Sequence, residues 1–141
     1  MRSGSDMPIR YRAGYKYQLS ETACFQTSVR VTRRITTKFL ELLPGGLLII
    51  KEAYAWDGPS GPAMDTSAAM YGSVAHDALY QLMRERLLSQ DWRDEADRDY
   101  KRFCIEAGMW KIRAAAHFDV LRTFGAPSAD PKNERQILTA P

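Results

Sequence analysis

The chain has 141 residues, of which 45% are hydrophobic and 26% charged, and its net charge is +3. That length makes one domain able to bury a core without disulfide staples. The mild, scattered positive charge argues against a dedicated nucleic-acid binder. Its nearest approach to a patch, Arg30, Arg33 and Arg34 with Arg10 and Arg12 upstream, reads as a solvated sheet edge.

Cys24 and Cys104 are far apart and form no C-x-x-C pair, which argues against a structural zinc site and fits free thiols in a reducing cytosol. No apolar run follows Met1, so a signal peptide is not expected. The longest apolar stretch, from Gly46 to Ile50, is far too short to span a bilayer. These features place synthesis in a cytoplasm, without export by the usual route.

Residues 1–14 are polar, contain Arg and Gly, and read as an extended arm. The first half of the remainder reads as β-structure. Residues 15–19 alternate weakly. Between Cys24 and Thr32, Cys24, Gln26, Ser28 and Arg30 alternate with Phe25, Thr27, Val29 and Val31. Residues 35–43 are β-branched and apolar, and Pro44, Gly45 and Gly46 mark a turn into residues 47–55. The expectation is an antiparallel sheet of three to four strands. The loop from Trp56 to Met64 holds Gly58, Pro59, Gly61 and Pro62, which exclude helix and central strand.

The second half reads as three helices, which makes the fold class α+β. The first is expected to start after a cap at Asp65 or Thr66 and run to about Leu87, with His76, Leu79, Tyr80 and Met83 on one face. The second is expected from near Ser89 to before Gly108. Its apolar stripe is Trp92, Ala96, Tyr100, Phe103 and Ala107, and its wet face is Asp94, Glu95, Arg98, Asp99 and Arg102. The third is expected from about Trp110 to Phe124, with the stripe Trp110, Ala114, His117, Phe118 and Leu121. Residues 15–125 then form a single domain, and residues 126–141 read as a tail.

The only candidate chemical site is the loop from Trp56 to Pro62 together with His76, Asp77 and Asp97. His76 and Asp77 interrupt an apolar helix, where polar groups are costly without partners. Tyr80 lies one turn past His76, and Asp77 points about 100° away from it. Asp97, at the edge of the second helix's stripe beside Tyr100 and Cys104, can face His76 and fix its tautomer, the orienting role of the acid in a triad. The glycines of the loop can turn backbone groups toward a cation or an oxyanion. Bland readings stand beside these. Asp97 then pairs with Arg93 or Lys101 on the helix surface, Asp57 and Gly58 form an ordinary turn, His117 is an edge-of-core histidine, and the tryptophans are core.

The motif order Asp57-Gly58-x-Ser60-x-Pro62, His76-Asp77-x-Leu79-Tyr80, Ala96-Asp97-x-x-Tyr100 and Arg122-x-Phe124-Gly125 resembles a family of small uncharacterised proteins of phages and prophages over roughly residues 45–125. That resemblance implies synthesis in a host cytoplasm and a virion-associated or accessory role, with the termini docking on other phage proteins. The same order resembles the phospholipase A2 pattern of the short prokaryotic and fungal type. That second resemblance implies His76 as general base, oriented by Asp97 and supported by Tyr80 and Tyr100. It also implies Ca²⁺ held by Asp77, Asp57 and the Gly58 carbonyl, beside the loop residues Trp56 and Ser60, in a calcium-dependent ester hydrolase acting on lipid. The sequence departs from that pattern in lacking its inter-helix disulfide and its Cys-rich calcium loop. A third possibility is a modulator of the host that binds a small ligand in the His/Asp pocket. An HD-type phosphohydrolase would need a further upstream His, and His117 is downstream.

Overall fold

A computed structural model describes residues 9, 11–12, 17–58 and 67–131. The fold is α+β, with antiparallel strands first and helices after. The strands β1 (Tyr11–Arg12), β2 (Tyr17–Leu19) and β7 (Ala55–Trp56) form one sheet in the order β1-β2-β7. A second sheet has the order β3-β6-β5-β4, from β3 (Ala23–Gln26), β4 (Ile35–Thr36), β5 (Leu40–Leu42) and β6 (Leu47–Ile50). The expected single sheet is therefore two. The physical cause is the turn after β6, where Ala53 takes φ 76°. That turn sends β7 away to pair with β2, and Leu19 and Tyr54 share a backbone hydrogen bond of 2.9 Å beside it.

The alternation expected from Cys24 onward holds on both faces. Phe25, Thr27 and Val29 are buried, while Gln26, Ser28 and Arg30 are exposed. Yet the strand stops at Gln26. The backbone N–H of Ser28 donates to Asp99 Oδ2 at 2.7 Å rather than to a neighbouring strand, and the Ser28 hydroxyl donates to Asp99 Oδ1 at 2.7 Å. Gly46 closes the hairpin between β5 and β6 at φ +94°, where a Cβ would sit 2.6 Å from the Thr27 carbonyl oxygen. Only glycine meets both demands.

Helix α1 (Ser67–Arg84) is buried almost all round from Ala68 to Met83, with Asp77 and Gln81 the half-exposed exceptions. A helix apolar on every side belongs at the centre of a fold. It packs between the sheets and α2 (Arg93–Glu106), which returns antiparallel after a short link and the 3-10 turn Gln90–Trp92. Helix α1 ends three residues before Leu87 because Arg86 takes φ 62° and the N–H groups of Leu87 and Leu88 fold back to the Leu82 carbonyl. Helix α3 (Lys111–Phe124) lies against α2. The core joins Phe25, Leu40, Leu42, Leu48 and Ile50 of the second sheet to Val74, Leu79, Leu82 and Met83 of α1. The rings of Phe25 and Phe103 meet at 5.1 Å, and those of Phe25 and Tyr71 at 5.1 Å.

Four expectations about helix faces are corrected. Asp99 is not on a wet face: it is 1% exposed because the chain after β3 folds over it. Trp110 is 78% exposed, since it precedes the first turn of α3 as its cap and projects outside the helical register. Ala107 is exposed beyond the end of α2, and Trp92 is only half-buried, since it precedes the first turn of that helix. The supposed tail begins with a folded element, α4 (Ala126–Ala129), whose Ala129 is 1% exposed in the main core and whose carbonyl accepts from Gln90 Nε2 at 3.0 Å.

The rest of the tail, most of the expected arm, and the candidate caps Asp65 and Thr66 lie outside the described residues. Cys24 and Cys104 are free thiols. Among the described residues no helix is long and apolar enough to cross a membrane.

Candidate active site

Helices α1 and α2 approach closely because α1 carries Gly72 at their contact. A Cβ there would come within 2.6 Å of Cys104 Sγ and 3.2 Å of the Tyr100 ring. That closeness brings His76 and Asp97 together, with Asp97 Oδ1 2.8 Å from His76 Nε2. The same oxygen accepts from the Tyr80 hydroxyl at 2.6 Å. Asp97 Oδ2 accepts from Arg122 Nη1 of α3 at 2.9 Å, and Arg93 Nε lies 3.9 Å from it. Asp97 is 0% exposed, so it is a buried hub joining three helices rather than a surface residue. Arg93, one of the partners expected for it, keeps that ion pair and also donates from Nε to the Tyr80 hydroxyl at 3.1 Å, and from Nη2 to the Leu121 and Arg122 carbonyls at 2.8 and 3.1 Å.

His76 is 6% exposed and held between two tyrosines. The Tyr80 ring lies 4.1 Å away, tilted by 38°, and the Tyr100 ring 5.5 Å away, edge-on. The Tyr100 hydroxyl does not join Asp97. It hydrogen-bonds His117 Nδ1 of α3 at 2.9 Å, so the edge-of-core histidine anchors a tyrosine that packs on His76. The second imidazole nitrogen, Nδ1, faces Asp77 Oδ1 at 3.8 Å, too long for a hydrogen bond.

Charges follow from this packing. Burial pushes the Asp97 carboxyl up, but hydrogen bonds from His76, Tyr80 and Arg122 and the charge of His76 outweigh it and hold the group below its ordinary value. Burial pushes His76 down, and the Asp97 hydrogen bond together with the negative charges of Asp77 and Asp97 outweighs that in turn, raising it from its ordinary value. Burial, then Asp97, keeps the Tyr80 phenol protonated far above neutral pH. Burial pushes the Cys104 thiol up to about 12, which makes it inert as a nucleophile. With Asp97 ionised, the imidazole proton belongs on Nε2. The basic lone pair is then on Nδ1, toward the half-exposed Asp77.

The loop is described only through Gly58; Ser60 lies outside the described residues. Trp56 is buried and donates from Nε1 to Ser73 Oγ at 2.9 Å, which fixes the loop on α1 one turn before Asp77. Gly58 takes φ +83° and is packed so closely on the Tyr17 ring that a Cβ would lie 2.5 Å from it. Asp57 and Asp77 both act on the buried Tyr54 phenol, raised first by burial and then by the Asp77 charge. Among the described residues no group of three or more His, Cys, Asp or Glu is arranged to hold a metal ion. Two carboxylates and a loop carbonyl fall short of the roughly six to eight oxygens calcium takes, so these residues alone do not make a closed calcium cage.

The sequence reading brought His76, Tyr80 and Asp97 to one point, with Tyr100 beside them. It assigned no role to Arg122, and offered Arg93 only as a surface partner of Asp97. Arg122 stood in the last motif, but nothing local signals that a residue 25 positions past Asp97 returns to it.

No protein-family model matches the chain, and neither a curated protein nor a solved structure matches it. The two resemblances therefore rest on their motifs.

Proposed function

We propose that the chain is a small hydrolase of the phospholipase A2 kind, in which His76 activates water against an ester. The observation that supports this best is the polarity of the dyad. The buried Asp97 takes Nε2 at 2.8 Å, leaving Nδ1 as the basic nitrogen on the side of the half-exposed Asp77. In this reading Nδ1 accepts a proton from water as the water oxygen attacks the ester carbonyl carbon. The imidazolium formed between Asp77 and Asp97 is stabilised by both carboxylates. It then returns the proton to the leaving alkoxide as the carbonyl re-forms, giving a carboxylic acid and an alcohol. Asp97 stays ionised throughout and holds the ring in orientation.

Calcium, when bound against Asp77 with oxygens of Asp57 and Gly58, would polarise the ester carbonyl. The phage resemblance supplies the setting: a chain made in a host cytoplasm and associated with the virion, whose termini dock on other phage proteins.

The test is hydrolysis of phospholipid vesicles and of a soluble short-chain ester by the full chain, with and without millimolar calcium. Turnover stimulated by calcium, and lost in Asp77→Asn, is the expected result. Calcium should also raise the melting temperature, by an increment corresponding to about 2.7 kcal/mol at a hundredfold excess over Kd. Absence of both turnover and thermal shift would reduce the dyad to a structural lock. An accessory phage domain without catalysis would then be the better account.

A further inference from the structure

Asp97 is gripped on both oxygens, and the two grips differ in kind. Oδ1 serves the site itself, through His76 Nε2 and the Tyr80 hydroxyl. Oδ2 is held at 2.9 Å by Arg122, a residue of α3 that takes no part in the proton transfer derived above. The Arg122 guanidinium is steadied in turn, with its Nε 3.7 Å from Asp94 Oδ1. Arg93 fastens the neighbouring backbone by donating to the Leu121 and Arg122 carbonyls. A carboxylate free on one oxygen turns easily about its terminal torsion, which is broad and roughly two-fold. One held on both oxygens does not.

His76 has a carboxylate beside each ring nitrogen, Asp97 at 2.8 Å from Nε2 and Asp77 at 3.8 Å from Nδ1. In the neutral ring one proton is shared between two claims. Asp97 wins while its Oδ1 stays against Nε2; were it to swing, Asp77 would draw the proton to Nδ1 and the basic lone pair would move to Nε2.

We propose that Arg122 is a positioning residue for the His76–Asp97 pair: by holding Oδ2 it keeps Oδ1 on Nε2, and so keeps the ring proton off Nδ1. Its catalytic consequence rests on the hydrolytic reading, but the tautomer does not, because it belongs to the chain whatever its substrate. The role is distinct from a simple strut between α2 and α3. A strut would affect melting temperature without choosing a ring nitrogen.

The experiment is nitrogen NMR of the full chain carrying labelled histidine, at a pH where both histidines are neutral. His76 of the unmodified protein should carry its proton on Nε2 alone. In Arg122→Gln the Nδ1–H form should rise several-fold, and in Arg122→Lys, which keeps the charge but loses the planar fork, it should rise less. Adding Asp77→Asn to Arg122→Gln removes the competing carboxylate and should return the proton to Nε2. The His117 resonances, on the same helix, report that α3 is still docked.

Should Arg122→Gln fail to fold, Arg122→Lys carries the test. A proton on Nδ1 in the unmodified protein would overturn the proposal, as would a docked variant with an unchanged tautomer. If the chain hydrolyses esters, Arg122→Gln should also lower kcat, roughly tenfold to a hundredfold on the precedent of residues that orient reactive side chains, and leave KM alone. If it hydrolyses none, the tautomer result stands by itself.

Discussion

Asp97→Ala is expected to destabilise the protein by about 3–5 kcal/mol, the range for removing one partner of a buried ionic group. The side chain is 0% exposed and accepts from His76, Tyr80 and Arg122, on two other helices. Its loss strands the Tyr80 hydroxyl and the His76 ring in a dry site. The Arg122 side chain, 36% exposed, can turn to water, which puts the cost toward the lower end of the range. Chemical denaturation of wild type and variant measures the difference.

Acid titration gives a second signature of the same residue. The folded-state value of Asp97 is depressed. The stability it contributes is therefore present above its unfolded value, ordinarily 3.8, and is lost as pH falls through the lower folded value. Asp97→Asn keeps the shape, lacks the charge, and should lose that part of the acid limb. An Asp97→Ala variant within about 1 kcal/mol of wild type would mean that the hub holds nothing together, since even typical single substitutions cost about that much.

Phe103→Ala is the second large effect, about 3–5 kcal/mol for deleting a buried aromatic ring. Phe103 is 1% exposed, and its ring meets Phe25 at 5.1 Å and Tyr71 at 6.5 Å edge-on. It therefore couples the second sheet to both long helices, and a cavity there has rigid walls on every side. The sequence put Trp92 on the same apolar stripe and in the core. That tryptophan precedes α2 and is half-buried, so its truncation should cost distinctly less than that of Phe103. Equal loss at the two positions, read by thermal melts of the two alanine variants, would contradict this picture of the core.

The α+β class was legible because the apolar period changes from two to helical across the loop, and that change depends only on local pattern. The split into two sheets was not. It turns on a single non-glycine residue, Ala53, in the left-handed region, which no residue type announces. Asp99 looked wet because helical spacing put it beside Arg98 and Arg102, and only the folded path of residues 27–30 reveals what covers it. The meeting of His76 with Asp97 could be read from two helices joined by a short link. Arg122 could not, because its approach depends on the angle at which α3 crosses α2. His117 was rightly placed at the core edge, but its tie to Tyr100 is a tertiary fact of the same kind. The second half of the loop, with Ser60, lies outside the described residues.

The central claim is that His76 acts as a base rather than as a strut, and His76→Gln tests it most directly. The glutamine amide can still donate to Asp97, so the hub keeps its bonds, but it has no basic nitrogen. Ester turnover and melting temperature should be measured on the same preparations of wild type and variant. The account predicts a fall in turnover of roughly 10²–10⁴-fold, the usual worth of a general base, with a melting temperature close to wild type. A variant that hydrolyses esters as fast as wild type would contradict it, and so would one whose only change is a lower melting temperature.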